Sequence, residues 1–212
     1  MICEMPTNIA RTQYHKMARP KSNNDNREKM LEAGIRLLKV HGYHGMSIKQ
    51  LVDEIGVPKG SFYNYFPSKE DFVQQAIVAY GENSAEAISS SLNTDAKPSR
   101  QILETFQALG RDLCTDNGPE PCLVSALANE ISQSSSKCRS SLESVQKMAR
   151  EHLTDLVDEA QRLEEITKAQ PAAVIADILY DHWHGQLLEY QIHQNPALLE
   201  QKSQQLLALL KP

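Results

Sequence analysis

A chain of 212 residues, 41% hydrophobic and 23% charged, suffices for one sizeable core or for a small module joined to a larger one, and excludes both a large multidomain assembly and wholesale disorder. The formal net charge of −5 counts against a phosphate-rich partner, yet it is unevenly spread: residues 1–72 hold 11 lysines and arginines against 8 acids, and the remaining 140 hold 11 against 19. Apolar runs fall short of the roughly 18 to 20 residues that cross a bilayer, and the N-terminus lacks the basic-then-apolar order of a signal peptide, so the chain reads as cytoplasmic with no membrane partner.

Residues 1–24 are polar and read as a flexible basic arm, whose Arg19 and Lys21 are either plain tail charges or minor-groove contacts. From Arg27, apolar residues at Met30, Ala33, Leu37 and Val40 predict a first helix stopped by Gly42. Ser47 with Gln50 three residues later forms a capping box, and Ile48, Leu51, Val52 and Ile55 give a second, short helix ended by Gly56. A third runs from Pro58 to about Tyr65; Pro67 breaks it, and Ser68 with Asp71 caps a fourth that continues toward Ser90. Beyond Pro98, helices are predicted over 99–116, 121–133, 137–165, 171–194 and 196–210, with no strand signal. The fold class is therefore all-α, about nine helices, divided into a three-helix head at 25–72 and a larger helical body at 73–212.

Four cysteines, Cys3, Cys114, Cys122 and Cys138, without a C-x-x-C pair exclude a disulfide framework and a four-ligand zinc site, and His182 and His184, two apart on a helix, point away from each other. No metal or other cofactor is expected. Two short helices across a tight glycine turn are a helix-turn-helix, whose second helix enters the DNA major groove. The residues left outward there, Lys59, Ser61, Tyr63 and Asn64, suit phosphates and base edges, while Gly60 permits close backbone approach. Lys69, in the first turn of the fourth helix, is placed to clasp a phosphate together with backbone amides. Phe62, Tyr65 and Phe66 read as packing residues.

The stretch from Val57 through Pro58-Lys59-Gly60-Ser61-Phe62-Tyr63-Asn64-Tyr65-Phe66-Pro67 to Asp71, with Gly42-Tyr43 and Ser47-Ile48 upstream, resembles the signature of TetR-family transcriptional regulators. That resemblance implies a homodimeric repressor, each head on half of a palindromic double-stranded DNA operator, with the last two helices pairing between subunits. It places Ser47, Lys59, Gly60, Ser61, Tyr63, Asn64 and Lys69 at DNA-contacting positions. It also implies a small-molecule inducer bound in the body.

The body resembles an electrophile- and oxidant-responsive branch of the same family through Cys122-Leu123-Val124, Leu127 and Glu130, Cys114 eight residues earlier, and Trp183 with Gly185 and Leu188. In that branch the cysteine opening the sixth helix senses the inducer, a role that maps onto Cys122. A helix dipole favours the thiolate, the form that attacks electrophiles. Two positions depart from the branch: Pro121 stands where glycine is usual and Gln191 where a lysine assists the oxidised thiol, so no cysteine–lysine switch is implied. Cys122 thus reads either as the sensor or as a buried small residue, and Trp183 either as a pocket wall or as a packing or dimer contact. Ile175, Ile178, Leu179, Leu198, Leu199, Leu206, Leu207 and Leu210 suit a subunit interface or an internal core equally. A thiol enzyme with Cys122 as nucleophile is the reading from another class; no nucleophile or phosphate-loop motif accompanies it.

Overall fold

A computed structural model of the chain describes residues 24–111, 113–115, 118–131 and 133–212. Arg19, Lys21 and Cys3 lie outside them. The described residues form nine helices: α1 (Asn24–Gly45), α2 (Ile48–Ile55), α3 (Lys59–Tyr63), α4 (Lys69–Ser91), α5 (Pro98–Arg111), α6 (Leu123–Ile131), α7 (Ser136–Arg162), α8 (Ala172–His193) and α9 (Ala197–Leu209). The expected fifth helix stops five residues early. The chain instead pairs β1 (Cys114–Thr115) with β2 (Gly118–Pro119), antiparallel, and Glu120 N–H donates to Leu113 C=O at 2.8 Å to close the hairpin. Pro119 and Pro121 cannot donate to a helical ladder.

The local signals act as their chemistry dictates. Ser47 accepts from Gln50 N–H while the Gln50 side chain accepts from Ser47 N–H, so the capping box closes on both sides of the α2 N-terminus. Gly56 ends α2 in the left-handed region at φ 71°. Pro58 sits one position earlier than expected, as the N-cap of α3 with ψ 145° rather than inside it. Ser68 caps α4 by accepting from Asp71 N–H at 3.1 Å.

Leu51, Val52, Phe62 and Phe66 bury one face of the head. Phe72, from the first turns of α4, enters this core and packs edge-on against Phe66 with ring centroids 4.9 Å apart, and lies 5.5 Å from Phe62. Its ring rests against Gly34 of α1, where a Cβ would lie 2.1 Å from Cζ, so the two helices approach at a point no other residue fits. Farther along, α4 packs Gly81 on Val145 of α7, and α5, α7, α8 and α9 complete a bundle around Ile102, Phe106, Leu153, Val157, Ile175 and Leu179.

The apolar residues of the last two helices divide between the two readings they allowed. Ile175, Leu179 and Leu199 are buried within their own chain, and Leu206, Leu207 and Leu210 pack against that core. Val174, Ile178, Leu188 and Ile192 stand exposed along α8. Val174 and Ile192 are five helical turns apart on one line, with the exposed Asp181 and Gly185 between the Val174–Ile178 and Leu188–Ile192 pairs.

Head and body meet where α1 ends. Gly42 takes φ 66°, and a Cβ there would fall 1.9 Å from the Glu130 carboxylate, which accepts from His44 N–H at 3.2 Å. Lys39 of α1 pairs with Glu120 at 3.1 Å, just ahead of α6. Gly42→Ala combines a disfavoured backbone with this collision and is expected to destabilise the protein by about 1–3 kcal/mol, read from urea unfolding.

Candidate functional site

Two sites emerge, one on the head and one inside the body. On the head, α3 presents Lys59, Gly60, Tyr63 and Asn64 to solvent with Ser61 half-buried, while Phe62 on the opposite side is fully buried. Tyr63 is half exposed and held edge-on against Phe62 at 5.3 Å, so its hydroxyl end is presented by a fixed ring. No atom lies within 4 Å of a Cβ built at Gly60, which leaves the backbone open to a surface laid against it. Ser47 is exposed at the foot of α2, although its hydroxyl is engaged by the cap.

Lys69 departs from the expected arrangement. Its ammonium turns inward, donating to Tyr43 C=O at 2.5 Å and Met46 C=O at 2.6 Å and lying 4.7 Å from the Tyr43 ring centroid. Burial lowers its pKa from the ordinary 10.5, with Glu130 opposing. These carbonyls belong to the end of α1 and the turn after it, where the orphan acceptors of a helix end need a donor. Lys69 therefore fastens α4 to that turn, with one of its three donors left over.

In the body, α4, α5, α7 and α8 enclose a cavity of about 430 Å³. Its wall includes Tyr80, Phe106, Leu109, Cys122, Met148, His152, Tyr180, Trp183 and His184. Cys122 and Trp183 are thus brought together, and Cys114 is not; it is exposed on β1. Cys122 sits immediately before α6, its carbonyl accepting the first helical bond from Ala126 N–H, and its sulfur takes a hydrogen bond from the Tyr80 hydroxyl at 3.7 Å. Trp183 stacks on Phe106 with centroids 5.3 Å apart. The sequence reading missed Tyr80, Met148, His152, Tyr180 and His184. The i, i+3, i+4, i+7 series Val145, Met148, Ala149, His152 on α7 carries that signal, but it is equally the pattern of a core face.

Both histidines of the wall have hydroxyl partners. His184 Nδ1 lies 2.8 Å from Ser125 Oγ, and His152 Nε2 lies 3.3 Å from Thr105 Oγ1. Burial lowers both imidazole pKa values below the ordinary 6.5. Burial, and secondarily Cys122, pushes the Tyr180 phenol up to about 12. Cys138, by contrast, is buried away from the cavity against Glu70 C=O and Ser135, and burial raises its pKa. Among the described residues, no cluster of three or more His, Cys, Asp or Glu is arranged to hold a metal ion.

A basic, outward-facing second helix across a left-handed glycine turn, carried on a helical body with an apolar cavity, defines a helix-turn-helix transcriptional regulator. The family model "Bacterial regulatory proteins, tetR family" matches residues 30–76, and "Tetracyclin repressor-like, C-terminal domain" matches residues 99–206. The chain belongs to the tetR family. It is 27% identical over 175 residues to the transcriptional repressor DhaR of Mycobacterium sp. strain GP1, covering 82% of this chain and 87% of DhaR. It is also 27% identical over 183 residues to the transcriptional repressor NemR of Escherichia coli K12, covering 84% and 90%. The crystal structure of E. coli NemR in its reduced form superposes with a TM-score of 0.77 at 25% identity, over 86% of this chain and 95% of that one.

Two outcomes are expected. Lys59→Ala should weaken DNA binding and reduce the salt dependence by about one counterion, while Lys69→Met should lower the melting temperature as well, as gel-shift titrations and thermal denaturation would read. Above pH 6.5 His152 and His184 are neutral both folded and unfolded; below it the unfolded chain binds protons that the fold resists. Stability should therefore fall as pH drops from about 7 to about 5.5, and His184→Gln should flatten that decline in urea midpoints.

Proposed function

We propose that this chain is a cytoplasmic homodimeric repressor, acting by binding rather than turnover, that leaves a palindromic operator when a small molecule enters the body cavity. Residues 25–72 serve DNA binding, and residues 73–212 serve effector binding and dimerisation. The observation that carries this reading is the exposed row of Lys59, Gly60, Tyr63 and Asn64 on the helix that the buried Phe62 anchors. Ser47 and Ser61 flank that row as further contacts, and Lys69 acts chiefly by holding α4 to the head. The exposed apolar pairs Val174–Ile178 and Leu188–Ile192 on one side of α8 support the subunit interface.

Cys122 is the sensing residue of this reading, supported by its place in the cavity wall beside the Tyr80 hydroxyl and by the likeness to NemR. Trp183 is a wall of the same pocket. Cys114, the other candidate thiol, is exposed and does not line the cavity. A non-covalent apolar ligand is the second reading, favoured by the size and lining of the cavity.

Selection of genomic fragments by the purified protein yields the operator on which the reading is tested. N-ethylmaleimide should release wild-type protein and the Cys138→Ser variant from it but not Cys122→Ser; normal release of Cys122→Ser would leave the non-covalent ligand as the account. Leu188→Glu should dissociate the dimer in sedimentation velocity and reduce operator affinity at least tenfold, since two heads then bind independently.

A further inference from the structure

The cavity is notable for what surrounds it electrically. Among the described residues that line it there is no Asp, Glu, Lys or Arg. Two cations lie against its aromatic rings and are already committed: Arg150 lies 4.3 Å from the Tyr180 ring centroid and is paired with Asp177 and Asp181, and Lys39 lies 5.5 Å from the Tyr80 ring centroid and is paired with Glu120. Neither lines the cavity. An anion entering would give up its hydration for imidazoles and hydroxyls that already bond to each other, a transfer that apolar surroundings do not repay. A cation fares no better. No carboxylate among the described lining residues repays a cation's dehydration, and Arg150 and Lys39 already hold one face each of the Tyr180 and Tyr80 rings.

We propose that the cavity selects an uncharged molecule with a flat, apolar body and rejects both anionic and cationic isosteres of it. This rests on the reading of the cavity as the effector site. Trp183, Phe106 and Met148 offer the apolar wall, and Tyr80, Cys122 and His184 belong to the same lining.

Three near-isosteric probes separate charge from shape: 2-naphthamide, 2-naphthoate and 2-naphthamidinium, each titrated into the full-length protein by calorimetry at neutral pH. The amide should bind at least tenfold more tightly than either ion. Met148→Lys, at a wall position that is already 41% exposed, should narrow the gap between amide and naphthoate at least tenfold. Equal or tighter binding of naphthoate to the wild type, or an unchanged gap in Met148→Lys, overturns the proposed selectivity while the cavity remains the effector site. Amide affinity unchanged by Ala149→Phe, or by Met148→Trp should the first variant fail to fold, locates the probe elsewhere and overturns the cavity reading itself. Failure of all three probes to bind overturns both.

Discussion

The insertion of Phe72 between Phe62, Phe66 and Gly34 is the constraint on which the molecule's organisation depends. A five-residue helix such as α3 is too short to be stable alone, so its direction must come from packing. Phe72 supplies it from α4, the same helix that lines the cavity two to four turns later with Tyr80 and Ser84. The packing of α3 and part of the cavity wall are therefore carried on one helical rod. Lys69 fixes that rod to the α1–α2 turn, and Lys137 and Ser135 grip its first turn from the body through Asp71 and Glu70.

A second connection runs through α6. It begins at Cys122 in the cavity wall and ends near Glu130, whose carboxylate occupies the space beside Gly42. A shift at either end of α6 would be felt at the close of α1. Under the proposed function, effector and operator would bias one two-state arrangement in opposite directions.

Much of this was legible in the residues. The caps at Ser47 and Ser68 and the left-handed stop at Gly56 are local chemistry and fall where their spacing puts them. The resemblance to the TetR signature carried the head and the order of the helices. What sequence could not resolve was tertiary. Lys69 looks like any exposed cation in a first turn; only the fold shows two backbone carbonyls within its reach. The apolar residues of α8 carry no mark telling Leu179, which is buried, from Ile178, which is not, because the helix is apolar on two faces. The cavity is harder still, since residues that line a void obey the same periodicity as residues that fill a core.

Trp183 is the only tryptophan of the chain, and it stands in the cavity wall against Phe106. The protein thus carries its single indole at the point where an occupant would press on the stacked ring. Its emission reports the polarity of one place in one molecule, without labels and without any background from other indoles. Occupancy of the cavity can be followed optically in the intact regulator, on DNA or off it.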